Sequence, residues 1–307
     1  MQKPTLVIVL GPTGVGKTAV AISLAKKFKT SVISADSRQF YKEIPIGTAQ
    51  PSSEELNSVP HFFIGNYSVT ETVDAGKYSR DVHELLNEKF NENDVLIMAG
   101  GSGLYIDAVV NGFDELPDAN AELRAELQRR FEEEGIENLQ QELEKLDTDF
   151  YAEIDRNNPA RLIRAIEVCR LTGKKYSELR AGKKVDLPFR VIKVGLDLPR
   201  EELYERINFR VDEMIKNGLE EEVKSVLNFR NLNALQTVGY KELFAFFDGE
   251  ISKEKAVELI KQHSRNYAKR QLTWWRKDQE IKWFSPKEVA SIENFIAKEL
   301  ANYTHGK

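Results

Sequence analysis

An apolar run, a glycine-rich turn and a helical segment follow one another at the start of the chain, and that order admits few folds. Thr5–Leu10 reads TLVIVL, a continuously apolar, β-branched stretch of the kind buried on both faces of a parallel sheet. Gly11, Pro12, Thr13, Gly14, Val15, Gly16, Lys17 and Thr18 come next and carry the G-x-x-x-x-G-K-[ST] spacing of a P-loop. Ala19–Phe28 then sets Val20, Ile22, Leu24, Ala25 and Phe28 at helical intervals. Strand, glycine loop and helix in that order predict an α/β protein, with a P-loop NTPase-like core built on a parallel sheet. In such a loop the glycines let backbone N–H groups turn toward phosphate oxygens at a helix N-terminus. Lys17 supplies a positive charge, Thr13 a further hydroxyl, and the Thr18 hydroxyl suits Mg²⁺.

Further strands are expected at Ser31–Ala35, Asp94–Ala99 and Arg190–Leu198. Between the last two the texture changes: Asp118 to Asp186 is helical in period and bracketed by Pro117 and Pro188. Its first half is acidic (Glu132, Glu133, Glu134, Glu142, Glu144). Its second half is basic (Arg161, Arg164, Arg170, Lys174, Lys175, Arg180, Lys183, Lys184). We read residues 119–189 as an all-helical insertion between two parts of the core, 1–118 and 190–307.

Composition narrows the classes. With 44 Lys+Arg against 49 Asp+Glu the net charge is -5, so a polyanionic partner must meet a local patch. There is 1 Cys, Cys169, which removes disulfide frameworks and cysteine-rich metal sites. Cys169 itself reads as a packed core thiol. The histidines, His61, His83, His263 and His305, have no metal-ligand spacing. No leader or membrane span is expected, and the location expected is cytoplasmic.

A P-loop alone serves ATPases, GTPases and kinases. A motor-type NTPase needs an acid at the end of an apolar strand to hold Mg²⁺, yet Val95–Ala99 runs into Gly100, Gly101, Ser102 and Gly103. Small-molecule kinases stay open. Asp36 closes the second strand and, in a parallel sheet, faces the same crevice as the P-loop. There it could take a proton, bind Mg²⁺ through water, or simply turn the chain.

Seven blocks in order then resemble the tRNA dimethylallyltransferases, also called tRNA isopentenyltransferases, of bacterial type. They are GPTGVGKT (11–18), DSRQFYKEIPIGTAQP (36–51), GGSGLY (100–105), NPARLIRAIEV (158–168), RVDEMIKNGLEEEV (210–223), TVGYKE (237–242) and AKRQLTWWR (268–276). The resemblance implies transfer of the dimethylallyl group from dimethylallyl diphosphate to N6 of the adenosine immediately 3′ of the anticodon. The tRNAs concerned read codons beginning with U, and diphosphate is released. It implies Asp36 as general base, with Thr13 and Arg210 steadying the diphosphate beside Lys17, Thr18 and Mg²⁺. Where the family usually has Gly-Gly-Thr this chain has Gly-Gly-Ser, so Ser102 either touches RNA or caps the helix starting near Leu104. The zinc finger of some eukaryotic relatives has no counterpart here.

A tRNA partner, gripped at its anticodon stem-loop, calls for an RNA surface. Lys261, Arg265 and Lys269 fall on one helical face, Arg276 extends it, and Arg270 and Lys277 lie nearby with Tyr267, Trp274 and Trp275 interleaved. The basic stripe is assigned to RNA, and Trp274 or Trp275 is assigned to the core. Further expected contacts are Asp36, Ser37, Arg38 and Gln39, Arg124, the run Ala160, Arg161, Leu162, Ile163 and Arg164, and Tyr240 with Lys241. A monomer is expected. The alternatives are an adenylate isopentenyltransferase acting on free nucleotide, a small-molecule P-loop kinase, and a non-catalytic RNA-binding module.

Overall fold

A computed structural model describes residues 3–112, 116–180 and 186–304. They form two compact units, one of residues 1–110 with 186–307 and one of residues 111–185.

The first unit is built on a six-stranded parallel sheet in the order β3-β2-β4-β1-β5-β6. The strands are β1 (Thr5–Leu10), β2 (Val32–Ser34), β3 (His61–Phe62), β4 (Val95–Gly100), β5 (Arg190–Leu196) and β6 (Lys282–Phe284). Every residue of β1 is buried. Leu6, Ile8 and Leu10 point into one hydrophobic core and Val7 and Val9 into another, on the opposite face. Two-sided burial is what the unbroken apolar run requires, because a pleated strand sends alternate side chains to opposite faces. The two short strands β3 and β6, at the sheet edges, had no sequence expectation.

The helices of this unit are α1 (Lys17–Phe28), α2 (Ser53–Ser58), α3 (Ala75–Lys89) and α4 (Gly103–Asn111), which precede the second unit. After it come α10 (Arg200–Lys216), α11 (Leu219–Ser225), α12 (Tyr240–Phe247), α13 (Lys253–Trp275) and α14 (Val289–Thr304). Since β2, β4 and β1 are neighbours and parallel, the segments leaving their carboxyl ends lie side by side. These are the loop with Asp36, the Gly100–Gly103 turn and the P-loop.

The second unit contains α5 (Ala121–Glu134), α6 (Ile136–Leu146), α7 (Thr148–Glu153), α8 (Pro159–Thr172) and α9 (Tyr176–Leu179). They close on a core of their own that includes Leu127, Leu139, Leu143, Leu162 and Ile166. The unit ends before the expected 189. The reason is local: Lys3 pairs with Asp186 at 3.1 Å and donates to the Leu187 carbonyl, while Phe189 packs in the core of the first unit. Lys183, Lys184 and His305 lie outside the described residues. Among those described, no helix is long and apolar enough to cross a membrane.

Candidate active site

The P-loop leaves β1 at Gly11 and enters α1 through Gly16, whose φ of 108° is left-handed backbone that a side chain would strain. Lys17 Nζ donates to the carbonyls of Gly11 and Pro12 at 3.0 and 2.9 Å, so its ammonium is held across the mouth of the loop. Burial lowers its pKa from 10.5 to about 8; the Asp36 carboxylate works against that shift, and Arg210 adds to it. The first-turn N–H groups of α1 supply the anion-binding end of a helix. One loop amide is committed elsewhere: Thr13 N–H donates to Gln271 Oε1 at 2.8 Å.

Gln271 was not foreseen as a site residue. It is buried on α13, and its Nε2 donates to the Gly101 carbonyl at 2.9 Å. A Cβ at Gly101 would stand 2.2 Å from that nitrogen, so the glycine is what allows the contact. One side chain thus ties the P-loop to the turn after β4.

Arg210 reaches the P-loop from α10, its Nη2 donating to Thr13 Oγ1 at 2.5 Å, while its Nε is buried without a partner. Burial lowers its pKa and the charge of Asp36 opposes the shift. One helical turn earlier, Arg206 Nη1 approaches the Val15 carbonyl at 3.4 Å. Arg206 was missed in the sequence, although its i, i+4 relation to Arg210 puts both cations on one face of α10.

Asp36 accepts the Arg38 N–H at 3.0 Å on Oδ1; its other oxygen makes no hydrogen bond to a described residue. Two spaces meet beside it. A cleft of about 340 Å³ is lined by Gly14, Gly16, Lys17, Thr18, Glu55 and Arg206. A larger cavity of about 680 Å³ has mixed walls, apolar at Met214, Leu219, Val238, Ile251 and Ile260 and polar at residues such as Arg38, Lys241, Asn266 and Arg270. Thr13, Asp36, Thr48 and Arg210 line both. The acid and the Arg–Thr pair therefore stand where a phosphate cleft meets a larger, partly apolar cavity.

The cleft also suits a hard divalent cation, which takes oxygen ligands: the Thr18 hydroxyl and the Asp36 and Glu55 carboxylates line it together. No group of three or more His, Cys, Asp or Glu that could hold a metal occurs among the described residues.

With this geometry in view, the comparisons decide the family. The family model described as IPP transferase matches residues 39–278. The chain belongs to the IPP transferase family. It is 47% identical over 302 residues to tRNA dimethylallyltransferase 1 of Bacteroides thetaiotaomicron, covering 98% of this chain and 97% of that one. It is 50% identical over 295 residues to the tRNA dimethylallyltransferase of Cytophaga hutchinsonii, covering 96% and 97%. The tRNA isopentenylpyrophosphate transferase of Bacillus halodurans superposes with a TM-score of 0.73 at 35% identity and 98% coverage of both chains. A eukaryotic dimethylallyltransferase crystallised acting on tRNA gives a TM-score of 0.74 at 27% identity, covering 89% of this chain and 70% of that one.

Several residues expected to meet RNA are placed otherwise in this IPP transferase. Tyr240 is fully buried and donates to Glu222 Oε1 at 2.6 Å, because its ring fills the core beneath the 44–48 loop; only Lys241 of that pair is exposed. Ser102 is buried and neither caps α4 with its side chain nor faces outward. Its Oγ accepts the Ser37 N–H at 2.9 Å and lies 3.1 Å from Ser37 Oγ, joining the turn after β4 to the Asp36 loop. Gln39 is spent inside that loop on the Thr48 and Ala49 carbonyls, while Arg38 donates one N–H to the Asn233 carbonyl and still lines the larger cavity. Leu162 and Ile163 are core residues of the second unit. Arg124 and Arg164 both bond the buried Glu167, whereas Ala160 and Arg161 are exposed.

The basic stripe of α13 divides. Lys261 pairs with Asp212 at 2.6 Å, Arg265 donates to Asn208 Oδ1 at 2.6 Å, and Arg276 pairs with Asp197 at 3.1 Å. Lys269 and Lys277 are exposed and carry no such partner among the described residues, and with Arg270, Asn266, Thr273 and Trp274 they line a shallow groove. Of the two tryptophans Trp275 is the buried one, and Trp274 is 42% exposed. Its Nε1 donates to Asp107 Oδ2 at 3.2 Å, which fixes the ring at the surface beside those cations.

Proposed function

We propose that this protein transfers a dimethylallyl group from dimethylallyl diphosphate to N6 of the adenosine immediately 3′ of a tRNA anticodon, with Mg²⁺. The observation that carries the reading is the position of Asp36, at the junction of the phosphate cleft and the larger, partly apolar cavity. In the reaction the allylic C–O bond breaks, the bond from that carbon to N6 forms, and Asp36 takes the amine proton. Negative charge grows on the departing diphosphate, and it meets Lys17, the Arg210–Thr13 pair, Arg206 and the amides at the start of α1. Mg²⁺ on the Thr18 hydroxyl and the phosphate oxygens would supply further charge neutralisation.

The apolar side chains in the larger cavity, Met214, Leu219, Val238, Ile251 and Ile260, favour this reading over a P-loop kinase, since a hydrocarbon tail has apolar surface to meet beside the base. The Lys269, Arg270, Trp274 and Lys277 groove favours tRNA over free nucleotide, because it gives an RNA backbone cations and an exposed ring. The adenine has to leave its stack to reach Asp36. Incubation with dimethylallyl diphosphate, Mg²⁺ and unmodified tRNA is expected to add one dimethylallyl mass to the RNA, and to add none with Asp36→Ala. Transfer to AMP in preference to tRNA, or ATP-dependent phosphorylation instead, would replace the reading.

A further inference from the structure

The loop 44–51 carries a wall shared by both spaces. Thr48, Ala49, Gln50 and Pro51 line the phosphate cleft, and Gly47 and Thr48 line the larger cavity. Its backbone is tightly turned: the Ala49 N–H donates to the Ile46 carbonyl and the Gln50 N–H to the Pro45 carbonyl, each at 3.0 Å. Ala49 sits at a φ of 50°, left-handed backbone that costs a residue with a side chain and persists where its neighbours enforce it. Gln39 supplies part of that hold. Its Oε1 accepts the hydroxyl of Ser34, on β2, at 3.1 Å, and its Nε2 donates to the Thr48 and Ala49 carbonyls at 3.3 and 2.9 Å.

A second hold comes from Glu222 on α11, 175 residues beyond Gly47 in the chain and a lining residue of neither space. Its Oε2 accepts the Ile46 N–H at 2.7 Å and its Oε1 the Gly47 N–H at 2.8 Å, so the two oxygens grip successive amides of the loop. Bonds from amides to an ionised carboxylate are among the stronger ones a backbone makes. The same Oε1 accepts the Tyr240 hydroxyl at 2.6 Å. Burial and the carboxylate beside it push the Tyr240 phenol well above its usual range, so it stays a donor. The fit is as close as the bonding. A Cβ at Gly47 would stand 2.4 Å from the Tyr240 hydroxyl oxygen and 2.6 and 2.7 Å from two of its ring carbons, so a glycine is what lets the loop down onto that ring.

Resting on the proposed function, we infer that Glu222 is a positioning residue for the transfer: with Tyr240 bonded to it and Gly47 as the point of close approach, it fixes the loop that walls both the phosphate cleft and the larger cavity. The carboxylate does not touch the reacting atoms. Its effect reaches them through Thr48, which lines both spaces together with Asp36, Thr13 and Arg210. Transfer needs the donor and the amine held against those groups, and a small displacement of the wall that confines them costs rate steeply. The groove lined by Lys269, Arg270, Trp274 and Lys277 is built without this loop, so a slack loop leaves that grip on tRNA in place.

Full-length protein is assayed with dimethylallyl diphosphate, Mg²⁺ and unmodified tRNA beside Glu222→Ala, Glu222→Gln, Tyr240→Phe and Gly47→Ala. Denaturant titration sets a temperature at which each variant is folded, and filter binding gives its affinity for tRNA. Glu222→Ala and Gly47→Ala are each expected to lower kcat/KM for the donor about tenfold or more, with tRNA affinity kept within about threefold. Glu222→Gln keeps one accepting oxygen and Tyr240→Phe keeps the ring, so each is expected to lose only about threefold. Added to Glu222→Ala, Tyr240→Phe is expected to cost nothing further, because its hydroxyl acts through the carboxylate. A folded Glu222→Ala with unchanged kcat/KM overturns the inference. So does a loss of tRNA affinity as large as the loss of kcat/KM, which would mean a general loosening of the fold. Should Glu222→Ala not fold, unchanged kcat/KM in both Tyr240→Phe and Gly47→Ala overturns it instead. An unaltered protein that transfers no dimethylallyl group overturns the proposed function and this inference together, whereas an active protein indifferent to these substitutions removes the inference alone.

Discussion

Lys17 carries its positive charge at a cost, because burial lowers its pKa to about 8. Between that value and the usual 10.5 the unfolded chain binds the proton more tightly, so without ligand this group makes stability rise with pH across the window. A bound diphosphate has the opposite preference, for the charged form. Affinity for dimethylallyl diphosphate is therefore expected to hold below pH ~8 and to fall above it, by at most about tenfold per pH unit. Calorimetry across that range tests this, with Lys17→Met as reference; equal slopes in the two proteins would clear Lys17 of the effect. The residues of this centre that a sequence can show are those whose spacing is their function, such as Gly11–Thr18. Gln271 is different. Its partners Thr13 and Gly101 are 258 and 170 residues away, and nothing local marks an amide that bridges two loops. Gln271→Leu strands a buried backbone N–H and a carbonyl, and is expected to lower stability by about 1–3 kcal/mol. It should also weaken dimethylallyl diphosphate binding severalfold by loosening Thr13. A loss of stability in denaturant titration with donor affinity intact would confine Gln271 to packing.

At the scale of elements, α13 shows where periodicity informs and where it stops. The spacing of Lys261, Arg265 and Lys269 does place them on one face, but a helical wheel does not show what packs against that face. The answer is α10, which brings Asp212 to Lys261 and Asn208 to Arg265. Lys269, further along that face, lies beyond these partners and lines the surface groove with Arg270, Trp274 and Lys277. Trp274 and Trp275 are adjacent in sequence and about 100° apart around the helix, and here Trp275 enters the core while Trp274 stays at the surface. Composition alone does not choose. Lys269→Ala is expected to reduce the salt dependence of tRNA affinity by about one ion, and Lys261→Ala to change it less, since its charge is already met by Asp212. Trp274→Ala should cost about 1–3 kcal/mol of tRNA affinity while leaving that salt slope unchanged, the mark of a stacking contact. Filter binding over a series of salt concentrations separates the two. Equal slopes for both lysine variants would return RNA to the whole stripe.

For the whole molecule, the shift from strand-like to helical texture announces a separate helical segment, but not what secures it. That role falls to Glu167, buried in the second unit and bonded by Arg124 at 2.9 and 3.0 Å, by Arg164 at 2.6 Å and by the Asn120 N–H at 2.8 Å. Burial pushes its carboxyl up, yet these donors outweigh burial and hold it below the usual range. A depressed carboxylate adds stability that is present above its unfolded pKa of about 4.3 and is lost as the solution is acidified through the lower, folded value. Both arginines are partly exposed, at 45% and 27%, which screens their share. We therefore expect Glu167→Ala to cost about 1–3 kcal/mol, at the lower end of what breaking a buried ion pair costs. Because residues 111–185 have a hydrophobic core of their own, the loss should be local. Hydrogen exchange on Glu167→Ala is expected to speed up across α5–α8 while β1, β4 and β5 keep their protection and dimethylallyl diphosphate still binds. Acid should open the same helices first in the unaltered protein. Loss of protection in the strands to the same degree would mean that the insertion and the P-loop core fold as one cooperative unit, each depending on the other for its stability.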